Sequence, residues 1–76
     1  MNKERRARIQ DLIVEIEVLR DKLDQIIDDE QNYMDNMPEN LLGSERYEKA
    51  EEAVSQMEEA GESLDEARDT LMEALE

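Results

Sequence analysis

The side chains of this chain that could do chemistry are its 23 Asp and Glu and the hydroxyls of Ser44, Ser55 and Ser63, with no Cys and no His. Without thiol or imidazole there is no ready nucleophile–base pair, and zinc or copper sites of the usual kind lack their ligands. Asp28, Asp29 and Glu30 form the densest acid run and could attract Ca²⁺ or Mg²⁺ loosely. The run lacks the spacing and the glycine of a calcium loop, and consecutive helical positions point in three directions. A di-metal bundle would need Glu-x-x-His, which is absent. The expectation is a protein with no catalytic residues, no cofactor and no metal, and hence not an enzyme.

The acids carry a second possibility, which is recognition. Glu52, Glu59, Glu66 and Glu73 recur at seven-residue steps, as do Glu51, Glu58 and Asp65, and beside them run Glu48, Glu62, Asp69 and Glu76. On a helix each such series is one column. One reading is a solvated face that keeps an otherwise sticky rod dispersed. The other is a surface for a protein partner with basic character, including mimicry of nucleic-acid phosphate, centred on Glu51, Glu52, Glu58, Glu59, Asp65, Glu66 and Glu73. Direct nucleic-acid binding is not expected. A net charge of −14 repels phosphate, and Lys3, Arg5, Arg6 and Arg8 are too few to reverse that.

The elements that must hold these columns are organised around Asn36–Tyr47. Pro38 removes a backbone donor and restricts Met37, so it ends the first helix. Gly43 supplies a flexible turn, and Ser44 can cap a second helix whose first turn already carries Glu45. Leu41 and Leu42 are expected to fold back as a staple. The predicted layout is helix one over about 3–36, a bend over 37–44 and helix two over about 45–75, in a single domain.

Along helix one, Ile9, Leu12, Ile16, Leu19, Leu23, Ile26, Tyr33 and Met37 alternate in steps of three and four, with Ile13, Ile27 and Met34 widening the stripe and Glu30 interrupting it. Glu30 is expected at the rim, reaching Lys49 or water. Helix two offers Tyr47, Ala50, Val54, Met57, Gly61, Leu64, Arg68, Leu71 and Leu75, and beside them an alanine column, Ala53, Ala60, Ala67 and Ala74. Those alanines are expected against helix one, letting the backbones come close. With opposed positions summing to about 80, Gly61 faces Leu19 or Arg20, and Arg68 reaches Asp11 and Glu15. The basic Lys3–Arg8 segment should lie beside Glu66, Asp69, Glu73 and Glu76, which favours an antiparallel pairing.

The fold class that follows is all-α: an antiparallel two-helix hairpin of coiled-coil type. A rod of that shape has a seam and no centre, and with neither disulfide nor metal available its economical completion is homodimerisation into a four-helix bundle. Val14, Val18 and Met72, apolar and off the seam, are candidate self-association residues. No stretch is apolar enough to cross a membrane, and no signal core follows the basic start, so the chain is expected in the cytoplasm without membrane contact.

The segment Asn36–Ala53, NMPENLLGSERYEKAEEA, resembles part of the small acidic helical-hairpin proteins of Gram-positive bacteria, their phages and mobile elements. The similarity covers the bend and the first turns of helix two, and no activity is shared across that group. It implies a small accessory protein that binds and blocks a larger host protein, as anti-defence factors do, and residence in the host-cell cytoplasm if phage-encoded. The expected function is a non-enzymatic protein-binding module, an inhibitor acting through its acidic surface. The alternative is an assembly subunit that only packs into a larger complex.

Overall fold

Asn2 begins the first helix by accepting a hydrogen bond from the Arg5 amide at 2.8 Å on its side-chain oxygen, which satisfies one of the free amides of the first turn. From there the computed structural model, which describes residues 1–76, runs as helix α1 (Lys3–Asp35), a single 3-10 turn (Glu39–Leu41) and helix α2 (Glu45–Ala74). Asn36 closes α1, its amide and its side-chain Nδ2 both donating to the Asn32 carbonyl. Pro38 then prevents continuation, and its carbonyl accepts from Leu41 at 2.9 Å to form the short turn. Gly43 takes φ +82°, a region costly for any residue with a Cβ. Ser44 caps α2 through its hydroxyl oxygen, which accepts from the Tyr47 amide at 3.3 Å.

The bend differs from expectation in one respect. Leu41 is half-buried, but Leu42 is exposed. The turn over Glu39–Leu41 aims one leucine inward and leaves the next, extended at φ −65° and ψ 132°, facing water.

The two helices pack antiparallel into a rod of 60 × 15 × 13 Å. Arg20 lies on Gly61, and the Arg6 guanidinium donates to the Leu75 carbonyl, so opposed residue numbers sum to 81 along the whole length. On α2 the seam is the expected one, with Tyr47, Ala50, Val54, Met57, Gly61, Leu64, Arg68, Leu71 and Leu75 all buried or half-buried. On α1 it is rotated by one column. The residues turned inward are Arg6, Ile9, Ile13, Ile16, Arg20, Leu23, Ile27, Glu30, Met34 and Met37. Leu12, Leu19, Ile26 and Tyr33, expected in the seam, are 44%, 51%, 54% and 46% exposed.

The alanine column is corrected with it. Ala53 is half-buried, while Ala60, Ala67 and Ala74 are exposed, so these alanines do not separate α2 from α1. Close approach depends instead on Ala50 and Gly61, both buried within the seam. Only Ile13, Ile27, Ala50 and Val54 form a buried apolar core, because each helix offers the other just one strip of its surface. No helix is long and apolar enough to cross a membrane.

The charge pairing also departs from expectation. Arg68 turns to Asp65 and Asp69 on its own helix, not to Asp11 or Glu15. Lys49 pairs with Glu45, one turn before it, at 3.1 Å, and Glu30 makes no ion pair. None of Lys3, Arg5, Arg6 or Arg8 pairs with the acids near the end of α2. The single tie there is Arg6 to a free carbonyl of the last turn, where the helix dipole favours a cation.

Candidate interaction surfaces

A hairpin of this register has two lateral edges, and the sequence treats them differently. One edge carries Leu12, Leu19, Ile26 and Tyr33 from α1 beside Ala53, Ala60, Ala67 and Ala74 from α2. Both series step by seven and stand one residue before the seam residues Ile13, Arg20, Ile27, Met34 and Val54, Gly61, Arg68, Leu75. In an antiparallel pair such columns lie on the same side. An open depression lined jointly by Tyr33, Arg46, Lys49 and Ala53 places them so. The opposite edge is polar, with Gln31, Asp35 and Glu51 bordering a depression over Met34 and Val54.

The carboxylates respect the same division. Eleven of the twelve acids from Glu45 to Glu76 sit on the outward side or the polar edge of α2, and Glu45, in its first turn, borders the depression beside Tyr33 and Lys49. The column flanking its alanines reads Lys49, Gln56, Ser63 and Thr70, without an acid. On α1 the corresponding flank is Arg8, Glu15, Lys22 and Asp29. Counting the ribbon and its flanks, Arg5, Arg8, Lys22, Arg46 and Lys49 face Glu15 and Asp29, and Glu30 and Glu45 border the end nearest the bend. A chain of net charge −14 therefore has one face that is close to neutral and apolar.

Of the acidic residues read as partner-binding, Glu51, Glu52, Glu58, Glu59, Glu66 and Glu73 are exposed, and no basic side chain pairs with them. Asp65 is different. Half-buried at the polar edge, it receives Arg20 Nε at 3.1 Å and lies 3.8 Å from Arg68 Nη1. Its carboxylate holds two seam arginines and is structural. Arg20 also reaches Asp24 at 2.7 Å, so the guanidinium passes over Gly61 between two acids.

Val14 and Val18 are exposed and share a shallow depression with Leu12, Ile16 and Leu19, whereas Met72 stands apart on α2 at the polar edge. The three do not form one patch. The Leu12–Tyr33 column, assigned to the interior on its spacing, was missed as a surface. Its signal was the third apolar column of α1, one more than a two-helix seam consumes.

Ser44 is committed to its cap, Ser63 donates to the Glu59 carbonyl at 3.2 Å, and Ser55 is exposed. No three acidic side chains converge on a point that could hold a metal ion.

Fold and surfaces together define a two-faced helical hairpin, acidic outward and apolar along one edge. Comparison with protein families, with curated proteins and with solved structures returns no match to this chain.

Proposed function

We propose that the chain is a non-enzymatic protein-binding module whose exposed acidic columns meet a basic partner surface and block it. The observation that carries this is the partition of charge. Every α2 carboxylate after Glu45 lies on the outward side or the polar edge, and the six unpaired glutamates of that surface are free to accept donors from outside. Mimicry of nucleic-acid phosphate fits the shape, a rod 60 Å long and 15 Å wide. Twelve carboxylates spread over roughly 48 Å give about one per 4 Å, against about one charge per 1.7 Å for duplex DNA. Dimerisation would bring the density closer. The resemblance at Asn36–Ala53 agrees with an accessory protein of a phage or mobile element acting in the host-cell cytoplasm.

A second reading, an assembly subunit that only packs into a larger complex, is favoured by the exposed Leu12–Tyr33 column. The two are separated by affinity capture with tagged chain in about 0.15 M and about 1 M salt, where the Debye length falls from about 8 to about 3 Å. An acidic-face partner is lost at high salt and lost with the Glu52→Gln, Glu59→Gln, Glu66→Gln, Glu73→Gln variant. A partner kept under both conditions refutes the acidic-face reading and leaves the assembly subunit.

A further inference from the structure

The apolar edge fits one occupant better than any other, which is itself. We propose that a second copy of this chain docks on the ribbon face to face, with the two bends at opposite ends, so that α1 lies against α1 and α2 against α2. This deepens the reading of the chain as an association module and rests on the ribbon, not on the acidic columns.

The evidence is self-complementarity in the two columns that α1 brings to this face. Flanking the ribbon on α1, Arg8, Glu15, Lys22 and Asp29 alternate in sign at seven-residue steps. Laid antiparallel on itself, this column sets Arg8 of one copy by Asp29 of the other, and Glu15 by Lys22. The ribbon column then opposes Leu19 to Leu19 and Leu12 to Ile26, and brings Arg5 over the Tyr33 ring, a favourable cation–π pairing. In the hairpin register, where opposed numbers sum to 81, the level of Leu19 on α2 falls at residue 62, between Ala60 and Ala67. The same two-fold therefore crosses the alanine column between these two residues, where the flank carries the neutral Gln56, Ser63 and Thr70. One axis satisfies both α1 columns. Among the four charged residues of the α1 flank it brings no like charges together.

The alternative two-fold, with both bends at one end, lays the α1 flank on the α2 flank, where Glu15 and Lys22 find only the neutral Gln56, Ser63 and Thr70. The sign alternation of the α1 column has no purpose there.

The area suffices. From Arg5 to Tyr33 the ribbon runs about 42 Å at ~1.5 Å per residue, across a rod 15 Å wide, which is roughly 630 Å² per copy and ~1,250 Å² in all, at the lower end of specific interfaces. Association would cover Leu12, Leu19, Ile26 and Tyr33, four of the large apolar side chains the hairpin leaves in water.

The test is sedimentation equilibrium from about 5 to about 500 µM, with charge reversal. The expected mass is twice the 8.9 kDa chain. Lys22→Glu opposes two acids at each of two symmetric places and should weaken the dimer about tenfold, and Glu15→Lys with Lys22→Glu should restore it. Ala60→Glu with Ala67→Glu, exposed helical positions that leave the hairpin helical by circular dichroism, should give monomer. A single Asn40→Cys spin label in this cysteine-free chain should report bends about 60 Å apart. A wild-type chain monomeric throughout the range overturns the proposal. So does a dimer indifferent to both alanine substitutions, a double reversal that fails to restore, or bends within about 30 Å of each other. None of these outcomes touches the salt-sensitive capture by the acidic columns.

Discussion

Gly61 ought to be a weakness in the middle of α2, since a glycine there costs about 1 kcal/mol against alanine in helix propensity. The structure assigns it a reason. A Cβ built at Gly61 would meet the Arg20 guanidinium, with Cζ at 2.5 Å, while Arg20 side-chain exposure is only 23%. Because the obstacle is the far end of a flexible side chain, Gly61→Ala will not break the seam. It will push the guanidinium outward, keep the intrahelical Asp24 pair and lose the bond to Asp65 at 3.1 Å. That bond joins partly exposed groups and is worth about 0.5–1 kcal/mol after solvent screening. Gain and loss nearly cancel, so Gly61→Ala alone should change stability by less than about 0.5 kcal/mol. In an Arg20→Ala background nothing opposes the methyl, and the same substitution should stabilise by about 1 kcal/mol, a shift of roughly 4–8 °C. The coupling of about 0.5–1 kcal/mol is read from a double-mutant cycle by urea unfolding followed by helical circular dichroism. Protein concentration is held constant across the cycle, because association shifts apparent stability. Equal stabilisation by Gly61→Ala in both backgrounds would refute the pairing of Arg20 with Gly61, and with it the register.

The rotation of the α1 seam is tested by two neighbours: Ile27→Ala, at a buried site, should cost about 2–4 kcal/mol, whereas Ile26→Ala, 54% exposed, should cost under about 1 kcal/mol in dilute solution. Denaturant titration at low micromolar concentration decides it, and the reverse order would return Ile26 to the seam. Gly43→Ala should destabilise by about 1–2 kcal/mol, since φ is +82° and no atom lies within 4 Å of the added Cβ, so the cost is backbone strain alone. Gly43→Asn should recover part of that loss in the same assay. Ser44→Ala removes the hydroxyl that caps α2 and should cost about 1 kcal/mol, with melting by circular dichroism as the readout.

Much of the architecture is legible one residue at a time. Pro38 cannot donate, Gly43 can take a positive φ and Ser44 can cap, and these are properties of single residues that act within a few positions of the chain. The bend, both helix limits and the α2 seam follow from them and from steps of three and four. That Gly61 faces Leu19 or Arg20 follows from the position of the bend, and the structure selects Arg20. The acid columns are equally visible, because seven-residue recurrence on a helix is arithmetic.

What only the tertiary structure decided is which two of the three apolar columns on α1 are spent inside. The column of Leu12, Leu19, Ile26 and Tyr33 and the column of Ile13, Arg20, Ile27 and Met34 both stand three or four residues from Ile9, Ile16 and Leu23. The first is the more apolar, so periodicity favours it. The second is chosen because Gly61 leaves space for the Arg20 stem and Asp65 receives its head, which lets a charged residue occupy a seam that its composition alone would deny it. That choice turned the leucines and the alanines outward together, and a column that looked like core became an exposed apolar edge. Such a trade depends on two residues 41 positions apart and on the space between them, and hydropathy along one helix holds no record of it.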